Sequence, residues 1–298
     1  MARRLFYTDH HILPLPAGHK FPIAKYRMLR DLLGGDRRFR FEAAPLASSE
    51  IIELIHDPTY VRAFMAGTLD TAAMRRIGFP WSEQLVRRTL ASVGGTLAAA
   101  EEALQAGWGG TLAGGTHHAF AGEGSGFCVF NDIAVAIATL RQSGKINRAA
   151  VVDLDVHQGD GTAHIFRDDP EVLTLSVHCK NNFPLRKQQS DIDVELAAAT
   201  ADEKYLEAVA RVLPRVFDLR PDIVFYQSGV DGLDSDVLGR LSLSAPGLER
   251  RDRMVFDSAR DRGIPIVITL GGGYSDPICL TAEAHANTFR LAAEIMES

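Results

Sequence analysis

The sequence predicts an α/β fold, one domain with a mostly parallel central sheet flanked by helices. Three observations predict it. Short β-rich runs alternate with longer helical patterns along the chain. The later runs are near-continuous Val, Ile and Leu, as in strands buried on both faces of a parallel sheet. The 298 residues, 46% of them hydrophobic, are enough to bury one sizeable core.

In chain order the expected strands are RRLFYT (3–8), RFEAAP (40–45), GTLAGG (110–115), RAAVVDLD (148–155), EVLTLSVH (171–178), DIVFYQSG (222–229) and IPIVITLGG (264–272). Helical periodicity falls at about 23–34, 82–106, 131–142, 202–218, 245–262 and 277–296. No repeat, low-complexity tract or Pro/Ser-rich linker divides the chain, so the domain is expected to span 1–298. The longest irregular regions are 9–22, 114–130 and 179–192, and loops of that length in a compact domain are usually functional or disordered.

Lys and Arg total 32 against 38 Asp and Glu, a formal net charge of −6. That balance argues against a nucleic-acid partner, though not against a basic protein tail as substrate. Three cysteines (Cys128, Cys179 and Cys279), with no C-x-x-C pair, point to a reducing compartment rather than a disulfide framework. MARRLFYTDHH has no apolar run behind its arginines, and no segment approaches the ~20 apolar residues of a membrane span. A cytoplasmic protein without a membrane partner is the expectation.

Chemistry gathers at the ends of four expected strands. The third runs into Thr116, His117 and His118, and the fourth carries Asp153 and Asp155 and runs into His157 and Asp160. The sixth runs into Asp231 and the last into Gly273 and Tyr274. In open α/β sheets ligands bind outside the carboxyl ends of strands. In VDLDVHQGDG, residues two apart face the same way, so Asp153, Asp155 and His157 can share a face. Carboxylate and imidazole suit Zn²⁺, and Asp231 is the obvious third ligand, leaving one position open. The competing reading makes Asp153 and Asp155 caps of a helix starting near Gly161. His117 and His118 can work as acid and base near neutral pH, or be a solvated or packed pair. In GGGY the glycines either deliver the Tyr274 hydroxyl to the rim or make a tight turn before a core tyrosine.

Together, GGTHHAF (114–120), GSGFCVFND (124–132), VDLDVHQGDGT (152–162), SGVDGLDSDVLGRLSLS (228–244) and LGGGY (270–274) resemble the zinc-dependent histone deacetylase family of the arginase/deacetylase fold. The resemblance covers nearly the whole chain. The stretch TDHHILPLPAGHKFPIAKY (8–26) and the short length look most like class IV members and their bacterial relatives.

The resemblance implies a lysine deacylase with one Zn²⁺ held by Asp155, His157 and Asp231. It implies His118 as general base and acid with Asp160 as partner, His117 with Asp153 as charge stabiliser, and Tyr274 as donor to the substrate carbonyl. Gly126, Phe127, Phe183 and Leu238 would line the acyl-lysine tunnel. A structural K⁺ is implied at Asp153, Asp155, the His157 carbonyl, Ser176 and Val177, and a second near Phe166, Asp169 and Val172. The substrate would be an acylated protein lysine, acetyl or longer fatty acyl, or alternatively a small acylated amine such as an acetylated polyamine. Two departures stand out. Gln158 stands where the family often has a second histidine after the zinc ligand, and the loop around 75–85 has no obvious match to the acidic residue with which many members grip the substrate backbone. A two-manganese ureohydrolase is disfavoured by Tyr274 and the single-metal ligand set. A catalytically dead binder would be expected to lose one of these residues, and none is missing.

Overall fold

Strand-forming runs become β1 (Arg3–Tyr7), β2 (Phe39–Ala43), β3 (Trp108–Thr111), β4 (Ala149–Asp153), β5 (Val172–Cys179), β6 (Ile192–Leu196), β7 (Ile223–Gln227) and β8 (Ile266–Thr269). In the computed structural model, which describes residues 2–297, they form one sheet in the order β2-β1-β3-β8-β7-β4-β5-β6. Every neighbouring pair is parallel. The carboxyl ends of all eight strands therefore lie along one edge.

The pleat divides the core. Ala149, Val151, Ile223, Phe225 and Val267 face one side and pack with α5 (Glu83–Ala106) and α6 (Asp132–Gln142). Their alternates Ala150, Val152, Val224, Tyr226, Ile266 and Ile268 belong to the larger cluster with α8 (Asp202–Asp218), α9 (Ala245–Arg260) and α10 (Cys279–Met296). Strands covered on both faces explain the unbroken apolar runs. α1 (Ala24–Leu33) packs beside α10.

The six predicted helices are present, with ends shifted by a few residues at most. Four shorter ones join them: α2 (Ser49–Ile52), α3 (Pro58–Ala66), α4 (Thr71–Ile77) and α7 (Asp160–Phe166). Their lengths of 4 to 9 residues are too short to establish a period. Capping chemistry marks α3 nonetheless: Asp57 accepts from two backbone N–H groups, a proline opens the first turn and Gly67 closes the last. The eighth strand, β6, is also new. It is an edge strand, IDVEL, whose two acids are both exposed, so its polar alternation resembles a loop.

The register of α5 on β3 depends on a close backbone approach. A Cβ at Gly109 would lie 2.1 Å from the Ala99 carbonyl oxygen, whereas one at Gly35 would meet nothing within 4 Å. Gly109→Ala should therefore cost about 1–3 kcal/mol or more in urea unfolding, by overpacking. Gly35→Ala should fall within about 1 kcal/mol of wild type. Equal midpoints for the two variants would refute the close-packing account.

Candidate active site

Four strands adjacent in the sheet, β3, β8, β7 and β4, carry the chemically capable termini. The loops after them bring together the residues singled out in the sequence. One cavity of about 290 Å³ is lined by His117, His118, Asp155, His157 and Tyr274, and by Gly126, Phe127, Phe183 and Leu238.

Asp155, His157 and Asp231 offer ligand atoms that all lie within 4.8 Å of one another. His157 Nδ1 stands 3.1 Å from Asp155 Oδ1 and 3.0 Å from Asp231 Oδ2. Backbone groups hold the outer carboxylate oxygens: Gly272 N–H donates to Asp155 Oδ2 at 2.6 Å, and Val156 N–H to Asp231 Oδ1 at 2.9 Å. Position 272 must be glycine, because a Cβ there would lie 1.9 Å from Asp231 Oδ2. Two buried carboxylates so close attract positive charge. Burial alone would lower His157, but hydrogen bonds to Asp155 and Asp231 raise its pKa to about 10. A divalent cation meets the same demand with the oxygen and nitrogen donors that Zn²⁺ takes, so the donor set fits a metal ion.

Asp153 and Asp155 do not cap the following helix. Gly159 occupies the N-cap of α7, and no side chain bonds there. Asp153 instead accepts from His117 Nδ1–H at 2.7 Å, and Asp160 from His118 Nδ1–H at 2.6 Å. Each carboxylate turns its imidazole so that Nε2 is the remaining nitrogen. The rings lie 4.0 Å apart, and both are buried. Their environments separate them. For His117, burial is outweighed by the charges of Asp153 and Asp155, which raise it to about 9. Burial and the charge of His117 lower His118 to about 4, against the pull of Asp160. His118 is thus a neutral acceptor beside a cationic neighbour, which suits one base and one charge stabiliser.

Tyr274 follows the three glycines, and its backbone N–H donates to Asp236 Oδ2 at 2.5 Å. Asp236 Oδ1 accepts from Leu238 and Gly239 N–H at 2.8 and 2.7 Å, so one carboxylate ties Tyr274 to the Leu238 wall. Burial pushes the Tyr274 hydroxyl well above its usual pKa and keeps it a proton donor. Phe183 meets His118 edge-on, with ring centroids 4.8 Å apart. Phe127, at φ 66°, adopts a left-handed conformation costly for a non-glycine, which its backbone bond to the Ile77 carbonyl helps to hold.

Several supporting residues escaped the sequence reading: Asp132 and Gln227 are ordinary polar residues beside apolar runs, and Arg251 sits among other charges in LERRDR. Asp132 accepts from Gly115 and Thr116 N–H at 2.9 and 2.7 Å and from the Thr96 hydroxyl at 2.5 Å, fixing the loop before His117. Gln227 donates to the Gly115 carbonyl at 2.8 Å. The buried Arg251 donates to the Gly229 carbonyl at 2.6 Å and to Asp252 at 2.8 Å, beneath the loop that carries Asp231. Gln158 is turned away from the ligand cluster. It bonds Gln188 N–H and Asp193, both at 2.8 Å, and so anchors the loop that presents Phe183. The loop around 75–85 meets the N-terminal loop, with His19 Nε2 3.0 Å from the Gly78 carbonyl.

Comparison with known proteins agrees with this geometry. The model of the histone deacetylase domain matches residues 19–289. An uncharacterized protein of Picosynechococcus is 44% identical over 97% of this chain and 98% of its own. Histone deacetylase 2 of Arabidopsis thaliana is 31% identical over 86% of this chain and 70% of its own. The histone deacetylase-like amidohydrolase of Pseudomonas aeruginosa is 32% identical over 89% and 76%. The crystal structure of the HDA15 HD domain shares the fold, with a TM-score of 0.80 at 22% identity over 98% of this chain and 88% of that one. With a family model spanning most of its length and relatives of this similarity, the chain belongs to the histone deacetylase family.

Proposed function

We propose that this chain is a zinc-dependent deacylase that hydrolyses the amide of acyl-lysine in proteins, acetyl first and longer acyl groups within the same cavity. The observation that carries this reading is the convergence, around one cavity lined by His117, His118, Asp155, His157 and Tyr274, of a carboxylate-and-imidazole donor cluster completed by Asp231 and of two His–Asp pairs. Zn²⁺, held by Asp155, His157 and Asp231, would supply a Lewis acid that acidifies water and polarises the amide carbonyl. His118 takes the proton of the attacking water at Nε2, its orientation set by Asp160. The Tyr274 hydroxyl donates to the oxyanion as the carbonyl carbon becomes tetrahedral. His117 holds positive charge beside the developing negative charge. When the C–N bond breaks, a protonated histidine returns the proton to the amine, leaving a free amine and a carboxylate.

The cavity mouth supports a protein substrate. Phe183 and Leu238 line the cavity, and beside them Leu185 and Val237 are 95% and 66% exposed. Such an apolar collar suits peptide flanking an acyl-lysine better than a polyamine chain. The register of β4 on β5 sets Asp153 opposite Ser176. That pairing supports a structural K⁺ held by Asp153, Asp155, Ser176, Val177 and the His157 carbonyl. The free thiols Cys128, Cys179 and Cys279 suit a reducing cytoplasm.

The deciding assay offers zinc-loaded enzyme a panel of acyl-lysine peptides and acyl-polyamines. Hydrolysis of polyamines alone would overturn the protein-substrate reading. Asp231→Ala should retain less than about a tenth of the bound zinc by elemental analysis, since one of three ligands is lost; full retention would remove Asp231 from the ligand set. Asp160→Asn should keep its metal yet lose on the order of 10–10³ in kcat, because an amide partner fixes the His118 tautomer less well. Tyr274→Phe should lose about 10²–10³ in kcat with KM much less affected, as expected for a donor used mainly in the transition state. Near-normal kcat in a zinc-bearing Tyr274→Phe enzyme would make Tyr274 a packing residue only.

A further inference from the structure

The cavity carries positive charge that the steps above do not use. Lys25 on α1 and Arg88 on α5 both line it, with Ser92 one turn beyond Arg88 on the same helix. Lys25 is 1% exposed and Arg88 8%. Neither is ion-paired to a carboxylate among the described residues. Lys25 Nζ donates to the Gly271 and Gly273 carbonyls, both at 3.3 Å, and lies 5.4 and 5.3 Å from the ring centres of Tyr26 and Tyr274. The Arg88 guanidinium lies over Phe21 and Tyr26, at 5.2 and 4.6 Å, and its buried Nε has no hydrogen-bond partner.

Carbonyl dipoles and aromatic faces offset only part of the cost of burying a full charge. A second cation in the same cavity adds repulsion. An anion between them would relieve both, and a guanidinium fork beside an ammonium and a hydroxyl is a donor set matched to a carboxylate. The position of this set identifies which carboxylate. Gly271 and Gly273 bracket Gly272, whose N–H holds Asp155. Lys25 therefore lies behind the ligand cluster, while Phe183, 38% exposed, lines the open end. A substrate entering past Phe183 with its amide at the cluster directs the tail of its acyl group toward Lys25 and Arg88.

We propose that Lys25, Arg88 and Ser92 form a carboxylate site for the far end of the acyl group, so that short dicarboxylic acyl-lysines of the succinyl and glutaryl class are substrates. This deepens the deacylase reading and rests on it. The reaction balances as for acetyl: water adds to the carbonyl carbon, the C–N bond breaks, the amine keeps a proton and a dicarboxylate leaves.

Two measurements on the zinc-loaded enzyme test this. In turnover, kcat/KM for succinyl- or glutaryl-lysine peptide should exceed that for butyryl-lysine by about tenfold or more, the size expected of one charge-assisted hydrogen bond. Arg88→Met should bring that ratio to about one, and Arg88→Lys should restore part of it, because charge alone does some of the recognition. In calorimetry without turnover, succinate and glutarate should bind wild type about tenfold tighter than butyrate, and Arg88→Met should bind all three alike. Equal binding of dicarboxylates and butyrate by wild type, or undiminished dicarboxylate binding by Arg88→Met, overturns the site. Equal weakening of butyrate and the dicarboxylates in Arg88→Met identifies instead a site for the monocarboxylate product and overturns the substrate class. Dicarboxylate binding that depends on Arg88, with no acyl-lysine hydrolysed, supports the site and overturns the deacylase reading instead.

Discussion

Two carboxylates, Asp155 and Asp231, are buried side by side at the end of the central strands, and much of the structure answers that constraint. Unpaired charge in a protein interior is expensive, so every oxygen needs a donor or a cation. Gly272 and Val156 supply backbone donors, and His157 presents a nitrogen to both groups. The sheet topology makes this affordable only at one place, the edge where β4, β7 and β8 all end. Strand ends expose backbone N–H groups that no ladder partner uses, and the following loops aim them inward. Arg251 braces the arrangement from below through the Gly229 carbonyl, its own charge balanced by Asp252.

The same logic separates the two histidines. Both rings are buried, and each has a carboxylate on Nδ1. His117 also feels Asp155, whereas His118 feels the cation that His117 becomes. Adjacent residues in the chain therefore take opposite protonation preferences without any difference in residue type. A difference of this kind is electrostatic and depends on which neighbours the fold supplies.

That distinction explains what could be read from the sequence. A mostly parallel sheet was legible because Val-rich strands buried on both faces leave unbroken apolar runs; that every pair is parallel came from the structure. The clustering of Asp155, His157 and Asp231 beside His117 and His118 was legible because a polar residue at a strand end has few structural reasons to be there. The two readings that made Asp153 and Asp155 helix caps, or the histidines a solvated pair, required three-dimensional neighbours to dismiss: the bare Gly159 cap and the buried His–Asp contacts. Asp132, Gln227 and Arg251 stayed hidden because their partners are 16 to 112 residues away. α3 could have been found from its aspartate, proline and glycine punctuation, which is local, whereas β6 could not, since its pairing with β5 is what makes it a strand.

The proposed catalytic residues and the proposed carboxylate site consequently belong to different parts of the molecule. The ligands, both His–Asp pairs and Tyr274 arise from loops after the central strands, where the ladder holds backbone positions closely. Lys25 and Arg88 instead come from helices packed outside that rim, α1 against α10 and α5 against β3. A change on either helix can alter what fills the cavity behind the ligands without moving a strand end. Chains sharing the ligand cluster, the paired histidines and the tyrosine would therefore be free to diverge in acyl group. The stretches that hold the Asp–His–Asp cluster, the paired histidines and Tyr274 do not include Lys25 or Arg88, so under the proposed carboxylate site the far end of the substrate would be read by side chains on α1 and α5.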